Sequence, residues 1–303
     1  MAEDQGVNGD RWNDQLQKLL LALNWTTIGD SNMDLPNEKD SKHGVDRVYW
    51  YQDSHKKGNR EAVIVEAKCY LTTSFSASLL DGWVKVLDGK LTKLKNSDEL
   101  FKMFPILEQM PLRTGIIAVW FSDHTQYAAF QGKFVDAMKK VAMTRKTSDP
   151  NKIYVLENSA ILRLASLCIE VEKINNSKNT KEEFKFFYPI VENFAANYSN
   201  VLNLNYFASK FVLGSFVGSD DKENLIVFYY GELNIESFER LHSALANVYY
   251  LNVEKKMSIY CYQRNDKEFR KIEPEIINLF GQQQVIIKEM ENMTDLPTFM
   301  RNK

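Results

Sequence analysis

The segment from Gly44 to Lys68 constrains the fold of this chain more than any other. Two runs of strand-favouring residues, DRVYWYQ and REAVIVEAKCY, flank a polar turn with the sequence SHKKGN. β-branched and aromatic residues favour strands, whereas Ser, Gly and Asn favour turns. We therefore predict a β-hairpin that turns near residues 56 and 57.

Three charged residues are expected to meet at the open end of this hairpin. Residues two apart on a strand share a face, so Glu66 and Lys68 point to the same side. The predicted turn places Asp46 opposite Glu66 or Lys68, with Cβ atoms roughly 5 Å apart. Asp53 is the competing acid, but it lies next to the turn, on the order of 20 Å from Glu66.

Two carboxylates and an ammonium in one place suit the hydrolysis of phosphodiester bonds. Carboxylates, waters and a backbone carbonyl can hold Mg²⁺ or Mn²⁺, which polarises a phosphate and lowers the pKa of a bound water. A nearby lysine can stabilise the developing charge. We predict Asp46, Glu66 and Lys68 as catalytic residues. The predicted metal ligands are Asp46, Glu66 and the backbone carbonyl of Ala67.

The order Asp, a gap, then Glu-Ala-Lys at a strand end resembles the signature of the PD-(D/E)xK nuclease superfamily. The resemblance covers about residues 10 to 122, with a leucine-rich helix before the hairpin and a helix and an apolar strand after it. It implies a restriction-endonuclease-like α-β-β-β-α-β core. It also implies a Mg²⁺- or Mn²⁺-dependent endonuclease acting on DNA, in the setting of restriction or antiviral defence.

Two features depart from the superfamily pattern. Val45, not proline, precedes Asp46. The first helix also lacks the glutamate that supports the metal site in many members, and Asp14 or Gln15 could take its place.

Other residues near the hairpin are candidates for contact with nucleic acid. His43 adjoins Asp46 in sequence and could contact phosphate or water. Lys56, Lys57 and Arg60 either follow a nucleic-acid backbone or form a solvated hairpin tip. Between residues 42 and 95, ten basic residues outnumber six acidic ones, although the whole chain has a net charge of −2. A local basic surface, or a partner, would therefore have to attract a polyanion.

The length of 303 residues suits two domains. We predict a disordered leader (1–9), a nuclease domain (10–148), a mixed, mostly helical connecting region (149–205) and a second, smaller α/β domain (206–303) that binds substrate or a partner. In the first half, the pattern predicts helices over 10–25, 76–95 and 131–146, a loop over 30–44 and a strand over 113–121. The last domain has the predicted order strand-strand-helix-strand-helix-strand.

Composition excludes several classes of protein. The chain lacks an apolar run long enough to span a membrane, and its acidic start is unlike a signal peptide. Three distant cysteines without a CxxC motif suggest a reduced, cytoplasmic protein. No motif for a nucleotide cofactor follows a strand. A protein partner or a homo-oligomer is expected. The alternative is a non-catalytic nucleic-acid-binding or protein-interaction subunit, which would usually lose one of the three site residues.

Overall fold

The computed structural model describes residues 3–36, 42–55, 58–141, 150–189 and 196–301. These form two compact units. The first comprises Met1–Asp53, Gly58–Leu162 and Thr294–Lys303, and the second comprises Ser54–Lys57 and Arg163–Met293. Among the helices of the described residues, none has both the length and the apolar character needed to cross a bilayer.

The first unit is built on a mixed five-stranded sheet with the order β1-β4-β5-β6-β7. The β1–β4 and β4–β5 pairs are antiparallel, and the β5–β6 and β6–β7 pairs are parallel. A separate antiparallel ribbon joins β2 to β3. In chain order, the strands are β1 (Thr26–Ile28), β2 (Met33–Pro36), β3 (Lys42–Val45), β4 (Arg47–Gln52), β5 (Arg60–Tyr70), β6 (Leu112–Phe121) and β7 (Lys152–Leu156).

Helices cover both faces of this sheet. They are α1 (Glu3–Ala22), α2 (Ala77–Leu94), α3 (Asp98–Met103), α4 (His124–Lys140) and the start of α5 (Asn158–Asn175). The indole Nε1 of Trp12 on α1 donates to the carbonyl of Ala118 at 3.0 Å. On the other face, Leu87 and Leu91 of α2 pack with Ile64 of β5 in one buried cluster. Successive residues of β5 therefore alternate between α1 and α2.

The predicted fold class is confirmed. The α-β-β-β-α-β core corresponds to α1, β1, β4, β5, α2 and β6, and a second α/β region follows. The predicted helix over 76–95 is observed as Ala77–Leu94. It begins where it does because the side chain of Ser76 accepts a hydrogen bond from the backbone of Leu79 and satisfies one donor of the first turn.

The structure differs from four expectations for the first unit. The predicted leader is helical from Glu3, because a helix anchored by Trp12 extends at the gain of one hydrogen bond per residue. The predicted loop over 30–44 contains the β2–β3 ribbon, where Leu35 is fully buried. Helix α4 begins at His124, not Gln131, because Tyr127 and Phe130 bury one face of its first turns. The predicted connecting region supplies β7 to the first sheet. Residues 142–149, the predicted end of that helix, lie outside the described part.

The second unit contains a six-stranded sheet with the order β13-β12-β11-β10-β8-β9. Its strands are β8 (Thr180–Tyr188), β9 (Asn197–Ser199), β10 (Phe211–Gly218), β11 (Glu223–Tyr229), β12 (Lys256–Cys261) and β13 (Val285–Glu289). Helices α6 (Ile235–Asn247) and α7 (Asp266–Leu279) pack through Phe238 and Phe269 on one core. From β10 onward the observed order is the predicted one, but α5, β8 and β9, which precede residue 206, also contribute to this unit.

Candidate active site

Asp46 lies at the bend between β3 and β4, where the backbone holds it in place. The register pairs Arg47 with Val65, so Asp46 continues the ladder beside Glu66. Its Oδ2 atom accepts a hydrogen bond from the amide of Ala67 at 2.6 Å. Its own carbonyl accepts from the amide of Asn32 at 2.9 Å and from the side chain of Asn13 at 3.4 Å. The carboxylate is therefore fixed against the strand that carries Glu66.

The ammonium of Lys68 lies between the two carboxylates. Its Nζ atom is 3.1 Å from Oε2 of Glu66 and 3.5 Å from Oδ2 of Asp46. The side chain of Glu66 is 8% exposed, whereas those of Asp46 and Lys68 are 27% and 24% exposed. The folded chain thus brings the three predicted groups together at the end of the β4–β5 hairpin.

Burial and charge have opposite effects on the pKa of Lys68. Desolvation by burial lowers this pKa, but the charges of Glu66 and Asp46, and the hydrogen bonds to them, raise it by more. The net pKa is above the ordinary value. Lys68 is therefore an ammonium that neutralises carboxylate charge in this arrangement.

Lys90 is a site residue that the sequence analysis did not single out. From α2, its Nζ atom donates to Oε1 of Glu66 at 2.7 Å, and the side chain is only 15% exposed. Both oxygens of Glu66 are therefore bound by lysines. A sequence signal was present, because Lys90 lies three residues after Leu87 and one before Leu91, at the edge of the apolar stripe that buries α2.

A cleft of about 230 Å³ opens at this point. Its lining residues come from α1, the segment before β2, and the ends of β4 and β5: Gly9, Asp10, Asn13, Asn32, Asp46, Ala67, Lys68, Cys69 and Tyr70. Asp10 accepts a hydrogen bond from the side chain of Asn32 at 3.0 Å. Asp10 and Asn13 are three residues apart, so one face of α1 carries both into the cleft.

The predicted supporting residues Asp14 and Gln15 do not line this cleft. Asp14 pairs with Arg47 at 2.8 Å and is 53% exposed. Gln15 lines a different cleft. Asp14 lies four residues after Asp10, near the same face of α1, but its carboxylate is turned to Arg47. Gln15 lies about 140° around the helix from Asp10, since each residue turns the helix by about 100°.

The remaining predicted residues lie at different distances from the site. His43 is in β3. Its pKa is lowered by burial, and then by the charges of Lys93 and Lys90, which places it beside α2. Arg60 stacks over Trp50 at 4.8 Å, at the start of β5, about 20 Å along the strand from Glu66. Lys56 and Lys57 lie outside the described residues.

The donor set fits an oxygen-preferring divalent cation. Within the described part of the chain, no three His, Cys, Asp or Glu side chains gather as a metal cluster. The predicted ligands, two carboxylates and the Ala67 carbonyl, are all oxygen donors and include neither the imidazole nor the thiolate that zinc prefers. Among the described residues, Oδ1 of Asp46 has no hydrogen-bond partner, and the Lys68 ammonium already occupies a position between both carboxylates. A cation can therefore be held at this point.

Comparison with known protein families gives a match over the half of the chain that contains this cleft. A family model described as the GAPS4 protein PD-(D/E)XK nuclease domain matches residues 1–160. The matched region is more than half of the chain and contains Asp46, Glu66, Lys68 and Lys90. A search of curated proteins found no match.

Proposed function

This chain belongs to the family of GAPS4 PD-(D/E)XK nuclease domains, and from that premise we propose that it is a metal-dependent endonuclease that hydrolyses phosphodiester bonds in DNA. The observation that carries the proposal is the position of the Lys68 ammonium, within 3.5 Å of the carboxylates of both Asp46 and Glu66. A subunit that had lost catalysis would usually lack one of these three residues. Their joint presence at a cleft favours an enzyme over a non-catalytic binding subunit.

Each residue has a distinct role in this proposal. Asp46, Glu66 and the carbonyl of Ala67 hold Mg²⁺ or Mn²⁺. When bound, the ion polarises the scissile phosphate and lowers the pKa of a water. Lys68 lies next to both carboxylates, so its ammonium can contact a phosphate oxygen and stabilise negative charge as it develops. Lys90 touches Oε1 of Glu66 and positions that carboxylate.

Two observations support a polyanionic substrate. Lys68, Lys90 and Lys93 bring positive charge close to Glu66 and His43. The segment from residue 42 to residue 95 also has an excess of four basic residues in a chain of net charge −2. Contacts between these lysines and phosphates would make binding sensitive to salt. DNA is the proposed substrate because the restriction endonucleases that the motif resembles act on DNA.

The proposal extends to the setting of the reaction. The enzyme acts with a protein partner or as a homo-oligomer, in restriction or antiviral defence. Support comes from the superfamily alone, by analogy with its restriction endonucleases. Light scattering of the purified chain measures its mass. If the chain is a monomer and its DNA cleavage does not rise when other proteins are added, the proposed partner or homo-oligomer is wrong.

Metal binding and cleavage together test the proposed function. Calorimetry should show Mn²⁺ binding to the wild type and at least about 100-fold weaker binding to Asp46→Asn. Plasmid cleavage should require Mg²⁺ or Mn²⁺ and fall at least about 100-fold in the same variant. Asp136→Asn is the matched control, because Asp136 is exposed on α4 and pairs only with Lys139 among the described residues.

Three results would contradict the proposal. They are cleavage in the presence of a chelator, wild-type cleavage by Asp46→Asn, and equal Mn²⁺ affinity in both proteins. The calorimetric result does not depend on a partner. If the wild type cuts an RNA of the same sequence and leaves the plasmid intact, the assignment to DNA is wrong while the nuclease assignment remains.

A further inference from the structure

The first unit has a second cleft, which the proposed reaction does not use. Its volume is about 300 Å³. Cys69 and Trp120, register partners on β5 and β6, line it beneath α1. Cys69 also lines the cleft that contains Asp46 and Lys68. The two clefts are therefore neighbours at the end of β5, where they share this lining residue.

Gln15 is the buried polar residue of this second cleft. It is only 6% exposed, yet its amide has no hydrogen-bond partner among the described residues. An amide both donates and accepts, so a ligand that presents a donor and an acceptor in one plane satisfies it. The edges of nucleobases have this arrangement.

Cations surround the same opening. Arg11 is exposed on α1 and has no ion-pair partner among the described residues. Arg301 is held in place by Asp295 and by the carbonyl of Leu296 at 2.7 Å. Two guanidinium groups thus oppose a single carboxylate, and the excess charge suits an anion. Guanidinium is the side-chain group that best matches the geometry of a phosphate.

Aromatic rings complete the lining. The rings of Trp12 and Trp120 stack with centroids 5.6 Å apart, and His124 continues the stack 6.5 Å from Trp120. Both interplanar angles are 28°. Such a column can be extended by another flat ring, since bases stack on aromatic and histidine side chains. The cleft thus combines the parts that bind a base with those that bind a phosphate.

We propose that this second cleft binds the nucleotide that flanks the scissile bond on the substrate strand. Arg11 contacts its phosphate, Gln15 hydrogen-bonds to the edge of its base, and His124 lies beside its ring. The proposal rests on the proposed function. When the scissile phosphate of a DNA strand lies beside Lys68, the next nucleotide of that DNA strand lies beside Cys69, which borders both clefts. Successive nucleotides of one strand rise about 3.4 Å, similar to one residue of β5.

Binding of a fluorescent DNA duplex over a series of salt concentrations tests the cleft. The measurements use the Lys68→Ala background with Mg²⁺, so that the duplex is bound but cut slowly. We expect Arg11→Ala to weaken binding about fivefold and to reduce the slope of log K against log salt by about one. Gln15→Leu should weaken binding about fivefold and leave the slope unchanged, because it removes a hydrogen bond and no charge.

Arg270→Ala is the matched control, since Arg270 is an exposed helical arginine on α7 of the second unit. It should leave the affinity and the slope unchanged. Thermal unfolding checks that Gln15→Leu remains folded, and the exposed Arg11→Ala tests the cleft independently of that variant. If Arg11→Ala and Arg270→Ala behave alike, the second cleft is not a nucleotide site and the nuclease assignment remains. If the background protein binds no duplex at any salt concentration, the DNA assignment itself fails, and the cleft with it.

Discussion

Each unit of this protein holds two carboxylates that share one lysine. In the first unit, Lys68 contacts Asp46 and Glu66. In the second, Lys173 contacts Glu170 at 3.0 Å and Glu291 at 2.9 Å. The side chains of the two inner glutamates are equally buried, with 8% of Glu66 and 7% of Glu170 exposed. By charge and distance alone, the two clusters are alike.

Their surroundings differ. Glu170 accepts a hydrogen bond from the backbone of Glu291, and Ser166 donates to the carbonyl of Glu291, so the second cluster ties the chain after β13 to α5. Lys173 is 55% exposed, and an exposed ion pair contributes little. The first cluster borders a cleft and has a second lysine, Lys90, on its buried glutamate. In this protein, the cluster that borders a cleft is therefore the candidate site.

The largest expected difference between the two clusters is the effect on DNA cleavage of replacing the lysine that each cluster shares. Lys68→Ala is expected to reduce the kcat of DNA cleavage on the order of 10²–10³-fold, because no ammonium then stabilises the developing charge. Lys173→Ala should leave cleavage within about twofold of the wild type. Steady-state cleavage at saturating Mg²⁺ measures both. Equal losses would mean that the two clusters do not differ in the way proposed.

Lys90→Ala should have a smaller effect, seen mainly in the metal requirement. A residue that orients a metal ligand typically changes metal affinity by about 10- to 100-fold, so more Mg²⁺ should be needed for half-maximal cleavage. The kcat at saturating Mg²⁺ should change little, and Lys90→Arg should restore the affinity.

Lys85→Ala is the control for this variant, since Lys85 is 68% exposed on the same helix and pairs with Asp81. A lower kcat with an unchanged Mg²⁺ requirement would contradict a positioning role for Lys90. It would indicate direct contact with the substrate instead.

The smallest expected effect is on the free energy of unfolding at acid pH, and it involves Glu223 of the second unit. Burial raises the pKa of Glu223, but hydrogen bonds from Lys255, Ser215 and Tyr198 and the charge of Lys255 lower it by more, so the net pKa is below the ordinary value of a glutamate. A carboxylate whose pKa is lower in the folded state stabilises the fold above its unfolded pKa. That contribution is lost as the pH falls through the folded value.

Glu223→Gln should therefore flatten the pH dependence of the free energy of unfolding below about pH 4.5. Urea denaturation between pH 3 and pH 7 measures it, with the exposed Glu239→Gln on α6 as the control. Cleavage at neutral pH should not change, which is the opposite of the result expected for Lys68. An unchanged acid limb in Glu223→Gln would show that this cluster does not stabilise the fold.

Local patterns were enough to predict the hairpin and its three charges. The predicted turn implies a register centred near position 56, and the observed pairing of Gln52 with Arg60 has that centre. Because strand residues alternate, that register alone places Asp46 beside Glu66. The family match over residues 1–160 includes this segment, whereas the roles of its residues stay predictions.

Contacts between elements distant in sequence could not be predicted in the same way. Lys90 reaches Glu66 only because α2 lies across the sheet, and its spacing from Glu66 carries no such information. Asn13 reaches the carbonyl of Asp46 because α1 is anchored through Trp12 to Ala118, 106 residues away. The sequence predicts an apolar stripe on each helix. The rotation of each helix about its axis relative to the sheet depends on the packing of the whole core.

The return of residues 294–301 to the first unit has a consequence for biosynthesis. Lys18 of α1 donates to the carbonyl of Arg301, so the beginning and the end of the described chain meet in one wall. A ribosome completes residues 163–293 before it reaches Asp295 and Arg301. During translation, Arg11 and Gln15 therefore border an open groove, which gains its last side only after the second sheet has been synthesised.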